Sequence, residues 1–217
     1  MVTPEHHGAL VDRLVQETQP VRRLWSVPAR LAVFVALSGT VVALVLALAA
    51  RPDIAAKLAD ATFTTELLLL CVATTYTGLL ALRSAVPGRS PSRYEAIVAL
   101  ALVVAIALFS CAEPRDTATP LGTFFGIGAA CAARTFAFAL LPWLLLMAAI
   151  RRGAPTRVRA AGAYAGATAL LFSTTILRTA CPQDGALHWL LWHFSPIGVG
   201  AVLSAAIAST WLRWRHA

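Results

Sequence analysis

Charge is scarce in this chain. Asp, Glu, Lys and Arg make up 13% of its 217 residues, where a soluble domain carries about 25%. Hydrophobic residues make up 59%, against a usual ~45–50%, and the mean hydropathy is +0.73. A water-soluble enzyme and a disordered chain are both disfavoured. Lysine is nearly missing, with Lys57 alone beside 17 arginines. There is no Cys-x-x-Cys pair, so a thioredoxin-like or zinc-ribbon reading lacks support. There is no serine elbow, no pair of intramembrane acids, no His-Glu metal motif and no phosphate loop, so nothing assembles an enzyme's pocket. The mid-span ionisable groups that a transporter would use are missing as well, although Pro142 and Pro196 could break helices. The N-terminus has no short apolar core with a small-residue cleavage site, and it is expected to be kept.

Long apolar runs are what the chain does have. A membrane helix needs roughly 20 apolar residues. Six runs qualify: Leu31–Ala50, Thr64–Leu82, Tyr94–Ala112, Cys131–Ile150, Ala160–Leu177 and His188–Leu212, each 18 to 25 residues long. The stretch Leu121–Ala130 is apolar but short and reads as an interfacial or re-entrant piece. The expected fold is all-α, a polytopic membrane bundle of six helices with no room for a separate soluble domain. Gly122/Gly126 and Gly162/Gly166 have the spacing of close helix contacts, within or between subunits, which leaves a homo-oligomer open.

The arginines set an orientation. Thirteen basic residues fall in the two tails and the even-numbered gaps, among them Arg83, Arg89, Arg93, Arg151, Arg152, Arg157 and Arg159. Five fall on the other side: Arg51, Lys57, Arg115, Arg134 and Arg178. The positive-inside rule then places both termini in the cytoplasm. With four acids inside and six outside, the net charges are 13 − 4 = +9 and 5 − 6 = −1, which together give the total of +8. No direct nucleic-acid contact is needed to explain the basic balance. Arg83, Pro87 and Arg89 share a spacing with Arg151, Pro155 and Arg157; short inner loops collecting Arg, Pro and Gly explain this better than a repeat of hairpins.

The tail before the first run has its own pattern. Thr3 can cap a helix, Pro4 suits its first position and Glu5 its first turn. Leu10, Val11, Leu14 and Val15 fall on one face at helical spacing, and Pro20 ends the pattern. Such a short helix is marginal alone and would be stabilised by docking its stripe into a partner's groove or onto the bilayer. Arg22, Arg23 and Arg30 fit headgroup anchors, and Trp25 an interface aromatic.

The acidic-apolar tail is followed in order by "PVRRL", "RPDIAAKLAD", "AVPGR", "RRGAP" and "CPQDGALHWLLWH". In this order and spacing, over nearly the whole chain, the sequence resembles the negative-regulator-of-sigma-F family of bacterial six-helix membrane anti-sigma factors. The resemblance implies a multi-pass protein of the bacterial inner membrane that is a regulator and not an enzyme. It implies a cytoplasmic segment, residues 1–30, that holds an extracytoplasmic-function sigma factor. Leu10, Val11, Leu14, Val15, Arg22 and Arg23 are then its contact candidates. It further implies a transmembrane domain, 31–212, that senses an envelope or thiol-reactive signal, and a cytoplasmic tail, 213–217. The competing classes are a small-solute transporter and a membrane assembly factor, which a pull-down with the tail would separate.

Three of the four cysteines fall on the outer, oxidising side: Cys111, Cys131 and Cys181. Cys71 lies mid-span and reads as a small buried hydrophobe. In the resembling family the cysteine opening the fourth span and the one in the last outer loop are the notable pair, here Cys131 and Cys181. Arg134 and Arg178 each stand three residues from one of them, and a nearby cation favours the reactive thiolate. Cys111 is the competing partner for either. A disulfide and metal or electrophile capture both remain open as the sensing event. His188 and His193 follow Cys181, but on a helix five residues turn side chains well apart, whereas ligands prefer three or four. They read as interface residues beside a Trp189/Trp192 belt, Glu66 reads as an interfacial acid, and no resident metal or cofactor is expected.

Overall fold

The computed structural model describes residues 4–17, 23–112 and 120–212. Every regular element among them is helical. The order is α1 (Pro4–Glu17), α2 (Val27–Ala49), α3 (Ile54–Ala59), α4 (Ala61–Arg83), α5 (Arg93–Ala112), α6 (Leu121–Arg151), α7 (Val158–Ala180), α8 (Ala186–Trp189), a π-helical turn (Leu190–Phe194) and α9 (Ser195–Trp211). Six helices are long and apolar enough to cross a membrane: α2, α4, α5, α6, α7 and the run from α8 through α9.

The starts of several helices are written in local chemistry. Ser26 accepts a hydrogen bond from the Ala29 amide at 3.3 Å, with Pro28 in the first turn of α2. Asp60 accepts from the Thr62 amide at 2.8 Å and opens α4. Before α5, the Ser92 amide donates to Glu95 at 2.8 Å and the Glu95 amide to Ser92 Oγ at 3.3 Å, a reciprocal capping box.

α7 lies at the centre. It packs against α9, α4, α6 and α2. It is the least hydrophobic span and the most buried, while α2 is the most hydrophobic and the least buried. Lipid-facing surface must be apolar, whereas helix–helix contact in a bilayer favours small residues and satisfied hydroxyls. The Ala, Gly, Ser and Thr of α7 supply both. At Gly162 an added Cβ would lie 2.6 Å from the Ser204 carbonyl, and at Gly166 2.7 Å from that of Gly200. This close approach lets Ser204 Oγ donate to the Gly162 carbonyl at 2.6 Å and accept from Trp143 Nε1 at 2.7 Å. The expected glycine contact is thus made within the chain at Gly162/Gly166. Gly122 and Gly126 face open space.

One expectation is overturned. Leu121–Ala130 is no re-entrant piece; it is the first third of α6, a single helix of 31 residues. At ~1.5 Å per residue that helix runs about 46 Å, longer than a ~30 Å hydrocarbon core. Cys131 therefore sits inside the helix instead of opening it.

The arginine-rich loops lie at one end of the bundle, and the Ala154 amide donates to the Ala85 carbonyl across them at 2.8 Å. Cys181 and the α2–α4 connection lie at the other.

Candidate sensory and partner-binding sites

At the end opposite the arginine-rich loops, four chemistry-bearing side chains converge. Cys131 comes from α6, Cys181 caps the end of α7, His188 lies in α8 and His193 in the π-turn. All four are buried. One ligand atom from each lies within 4.8 Å of every other. Cys131 Sγ and Cys181 Sγ are 3.8 Å apart, though fifty residues separate them in sequence. Cys181 Sγ is 3.9 Å from His188 Nε2.

The expected pair is therefore together, and Cys111 does not join the cluster. Cys71 is exposed on the outer surface of α4, contrary to the buried position expected of it. A small hydrophobe in a bilayer need not face inward.

The histidines depart from expectation in both burial and direction. In an α-helix five residues amount to about 140° of rotation. Here the chain widens to i→i+5 bonding, with the Ser195 amide donating to the Leu190 carbonyl. That brings the rings of His188 and His193 to 5.3 Å. The cause is Pro196, which has no N–H to offer the carbonyl four residues back and whose ring crowds it. That carbonyl, of Trp192, lies 3.5 Å from Thr135 Oγ1. Trp189 is no interfacial belt residue either. It is fully buried, its ring stacks on His193 at 4.1 Å, and its indole N–H donates to the Gln183 carbonyl at 2.6 Å. A proline three residues after the second histidine was the one signal in the sequence.

Of the two arginines near the cysteines, Arg178 acts otherwise than expected. Arg134 is exposed. Arg178 is buried and committed elsewhere. Its guanidinium meets Glu66 at 2.7 Å and Asp184 at 2.9 Å, and lies 4.5 Å over the Phe63 ring and 4.8 Å over that of Trp189. Glu66 is fully buried and also accepts from Ser110 Oγ at 2.6 Å, so it is no interfacial acid. Around this pair stands a wider lattice. Arg51, 3% exposed, donates to Asp184 at 2.8 Å, to Asp53 and, at 3.1 Å, to the Cys181 carbonyl, while Lys57 reaches Asp184 at 2.9 Å. Arg51, Lys57 and Arg178 balance Asp53, Glu66 and Asp184, so buried charge is neutralised. Burial opposes charge on Asp184, yet the hydrogen bonds from Arg51, Lys57 and Arg178 outweigh it and hold its carboxyl well below the usual range. At Cys181 the hydrogen bond from Cys131, helped by His188 at 3.9 Å, holds the thiol well below its usual value against the cost of burial. The thiolate is thus favoured by neighbours in the cluster and not by an adjacent arginine.

At the other end of the chain, α1 forms as the spacing predicts. Val11, Leu14 and Val15 are 55%, 55% and 65% exposed. Leu10 belongs to the same helix. Arg22 lies outside the described residues. Arg23 is exposed and, with Trp25, Arg30, Phe34, Pro142 and Arg152, lines a groove of about 880 Å³ between α2 and α6.

The family model described as negative regulator of sigma F matches residues 14–214. The match covers most of the chain, which therefore belongs to that family. No curated protein and no solved structure matches the chain.

Proposed function

We propose that this member of the family is a membrane anti-sigma factor for an extracytoplasmic-function sigma factor, held through residues 1–30 and released when the outer face of the 31–212 bundle changes. Negative regulation of a sigma factor is what membership implies. The finer reading is supported by the polarity of the molecule. An exposed apolar stripe precedes the first span, arginine-rich loops lie at one end, and a buried thiol pair lies at the other. In this reading both termini and the tail 213–217 are cytoplasmic, in the bacterial inner membrane, as the arginine asymmetry predicts.

The contact is made by the stripe of α1. A helix this short with a mixed-charge polar face suits a protein groove better than a lipid surface, which favours Lys and Arg. Val11, Leu14 and Val15 with Leu10 fill the groove, and Arg22 and Arg23 meet acidic groups beside it. Sensing is by Cys131 and Cys181. Their capture ties α6 to the loop between α7 and α8, and a shift of packed helices carries the change inward.

The single observation that carries the sensing role is the 3.8 Å approach of the two thiols across fifty residues. The test is co-purification of the full chain with an extracytoplasmic-function sigma factor, with and without a thiol oxidant. A stable complex that dissociates on oxidation is expected. Absence of any sigma factor from the purified complex would remove the proposal. Reporter fusions after Ser90 and Thr156 should read cytoplasmic, and those after Lys57, Thr117 and Asp184 periplasmic; a reproducible inversion breaks the proposed orientation.

A further inference from the structure

We infer that Cys131, Cys181, His188 and His193 form a four-coordinate site for a soft or borderline divalent cation of the zinc–cadmium type. As a signal input this rests on the regulatory reading above; as a binding site it stands on geometry alone.

Four donors of the Cys2His2 kind lie mutually within 4.8 Å. Two thiolates bound at about 2.3 Å to a tetrahedral ion stand about 3.8 Å apart. The two sulfurs are 3.8 Å apart.

His193 supplies the independent sign. It has no exposed surface, and among the described residues its Nε2 is buried without a hydrogen-bond partner. An orphaned buried ring nitrogen is costly unless something binds it. Its other nitrogen, Nδ1, is 3.4 Å from Thr135 Oγ1, whose own proton goes to the Cys131 carbonyl at 3.0 Å. Nδ1–H therefore donates to Thr135, which leaves the Nε2 lone pair for an ion. This is the outer-shell arrangement that fixes a ligating histidine. The π-turn completes the site, because without it His188 and His193 would face different ways.

Charge selects the ion. Binding of a divalent cation displaces to solvent the proton that the thiol–thiolate pair still holds, and two thiolates with two neutral imidazoles then give 2 − 2 = 0. A neutral centre suits a pocket walled by Trp189, Phe124 and Trp192. A monovalent ion would leave a buried negative charge. Hard cations prefer oxygen, and sulfur with imidazole suits zinc and cadmium.

The test uses the full chain in detergent under a non-chelating reductant, with cobalt(II) as the spectroscopic probe. One cobalt per chain is expected, with the intense visible bands of a tetrahedral ion and a thiolate charge-transfer band, displaced by zinc or cadmium. Cys131→Ser and Cys181→Ser should weaken the charge-transfer band. Loss of a second-shell partner alone costs 10–100-fold in affinity, so His188→Ala and His193→Ala should each cost at least about tenfold. His188→Cys keeps a ligand and should strengthen the thiolate band, which separates loss of a donor from misfolding. Unchanged affinity in both histidine-to-alanine variants, or an octahedral spectrum, would overturn the site, as would tight binding of copper(I) alone. Sigma-factor co-purification is scored separately: a chain that holds its sigma factor but no divalent ion refutes the metal site and spares the regulatory reading, and the converse refutes only the latter.

Discussion

Arg178 and Glu66 form a fully buried ion pair, with Nη2 2.7 Å from the carboxylate and 1% and 0% of their side chains exposed. They join α7 to α4 next to the loop that carries Cys181. Removing one partner of such a pair leaves an uncompensated buried charge, at a cost of about 3–5 kcal/mol. Arg178→Met should therefore lower thermal stability in detergent sharply, and Glu66→Ala should lower it less, because Asp184 still pairs with the guanidinium at 2.9 Å. The double variant, Glu66→Ala with Arg178→Met, should be more stable than the sum of its parts, because neither charge is then orphaned. Additive losses in the double-mutant cycle would show that the two side chains act independently.

Asp184 gives the cysteine end of the bundle an acid dependence. Its carboxyl is held below the usual range by Arg51, Lys57 and Arg178, with Asp53 and Glu66 on the same lattice. A depressed folded-state value contributes stability at pH above the ordinary ~3.9 of an aspartate, and that contribution is lost as pH falls through the folded value. Stability should hold from neutral pH down to about 4 and erode below it. Asp184→Asn should be less stable at neutral pH and should show a shallower loss in acid. Unfolding midpoints against pH for the two proteins check this; parallel curves would remove Asp184 as the source.

On the proposed reading, release of the sigma factor should not need a change at the cysteine end when the α1 stripe itself is spoiled. Replacing Leu10 and Leu14 with Asp puts charge where docking would desolvate it. Sigma-dependent reporter output should rise severalfold without signal, toward the level of a strain lacking the regulator. Unchanged output from a variant that still reaches the membrane would show that the stripe is not the contact.

The six spans were legible because the bilayer demands long apolar runs, and the tail helix because its stripe has helical period. Gly162 and Gly166 announced close packing for the same kind of reason. What escaped was whatever depended on distance or on a change of helix type. Glu66 and Arg178 are separated by 112 residues, and nothing local marks them as partners. Leu121–Ala130 was cut from α6 because a length-based reading expects one bilayer crossing, whereas the helix overruns it. His188 and His193 were set apart by assuming 3.6 residues per turn, which Pro196 locally breaks.

The thiol pair gives the last prediction. Cys131 and Cys181 face each other at 3.8 Å in the half of the core opposite the arginine-rich loops. A disulfide between them needs a shift of the sulfurs by under 2 Å, since a bonded pair stands at about 2.05 Å. Closing it pulls the α7–α8 loop toward α6. That loop is anchored by Arg51, which holds both the Cys181 carbonyl and Asp184, so strain passes to the far end of α2, the span that follows the tail. A bias of about 2.7 kcal/mol between two packings shifts their ratio about a hundredfold. Cys131→Ser and Cys181→Ser should each abolish induction of a sigma-dependent reporter by a thiol oxidant, and the double variant should add little, because either loss already removes the pair. Cys71→Ser, on the outer surface of α4, should respond as the parent does. Normal induction in the double Cys131/Cys181 variant would exclude the pair as the oxidant sensor and leave the anti-sigma role standing without it.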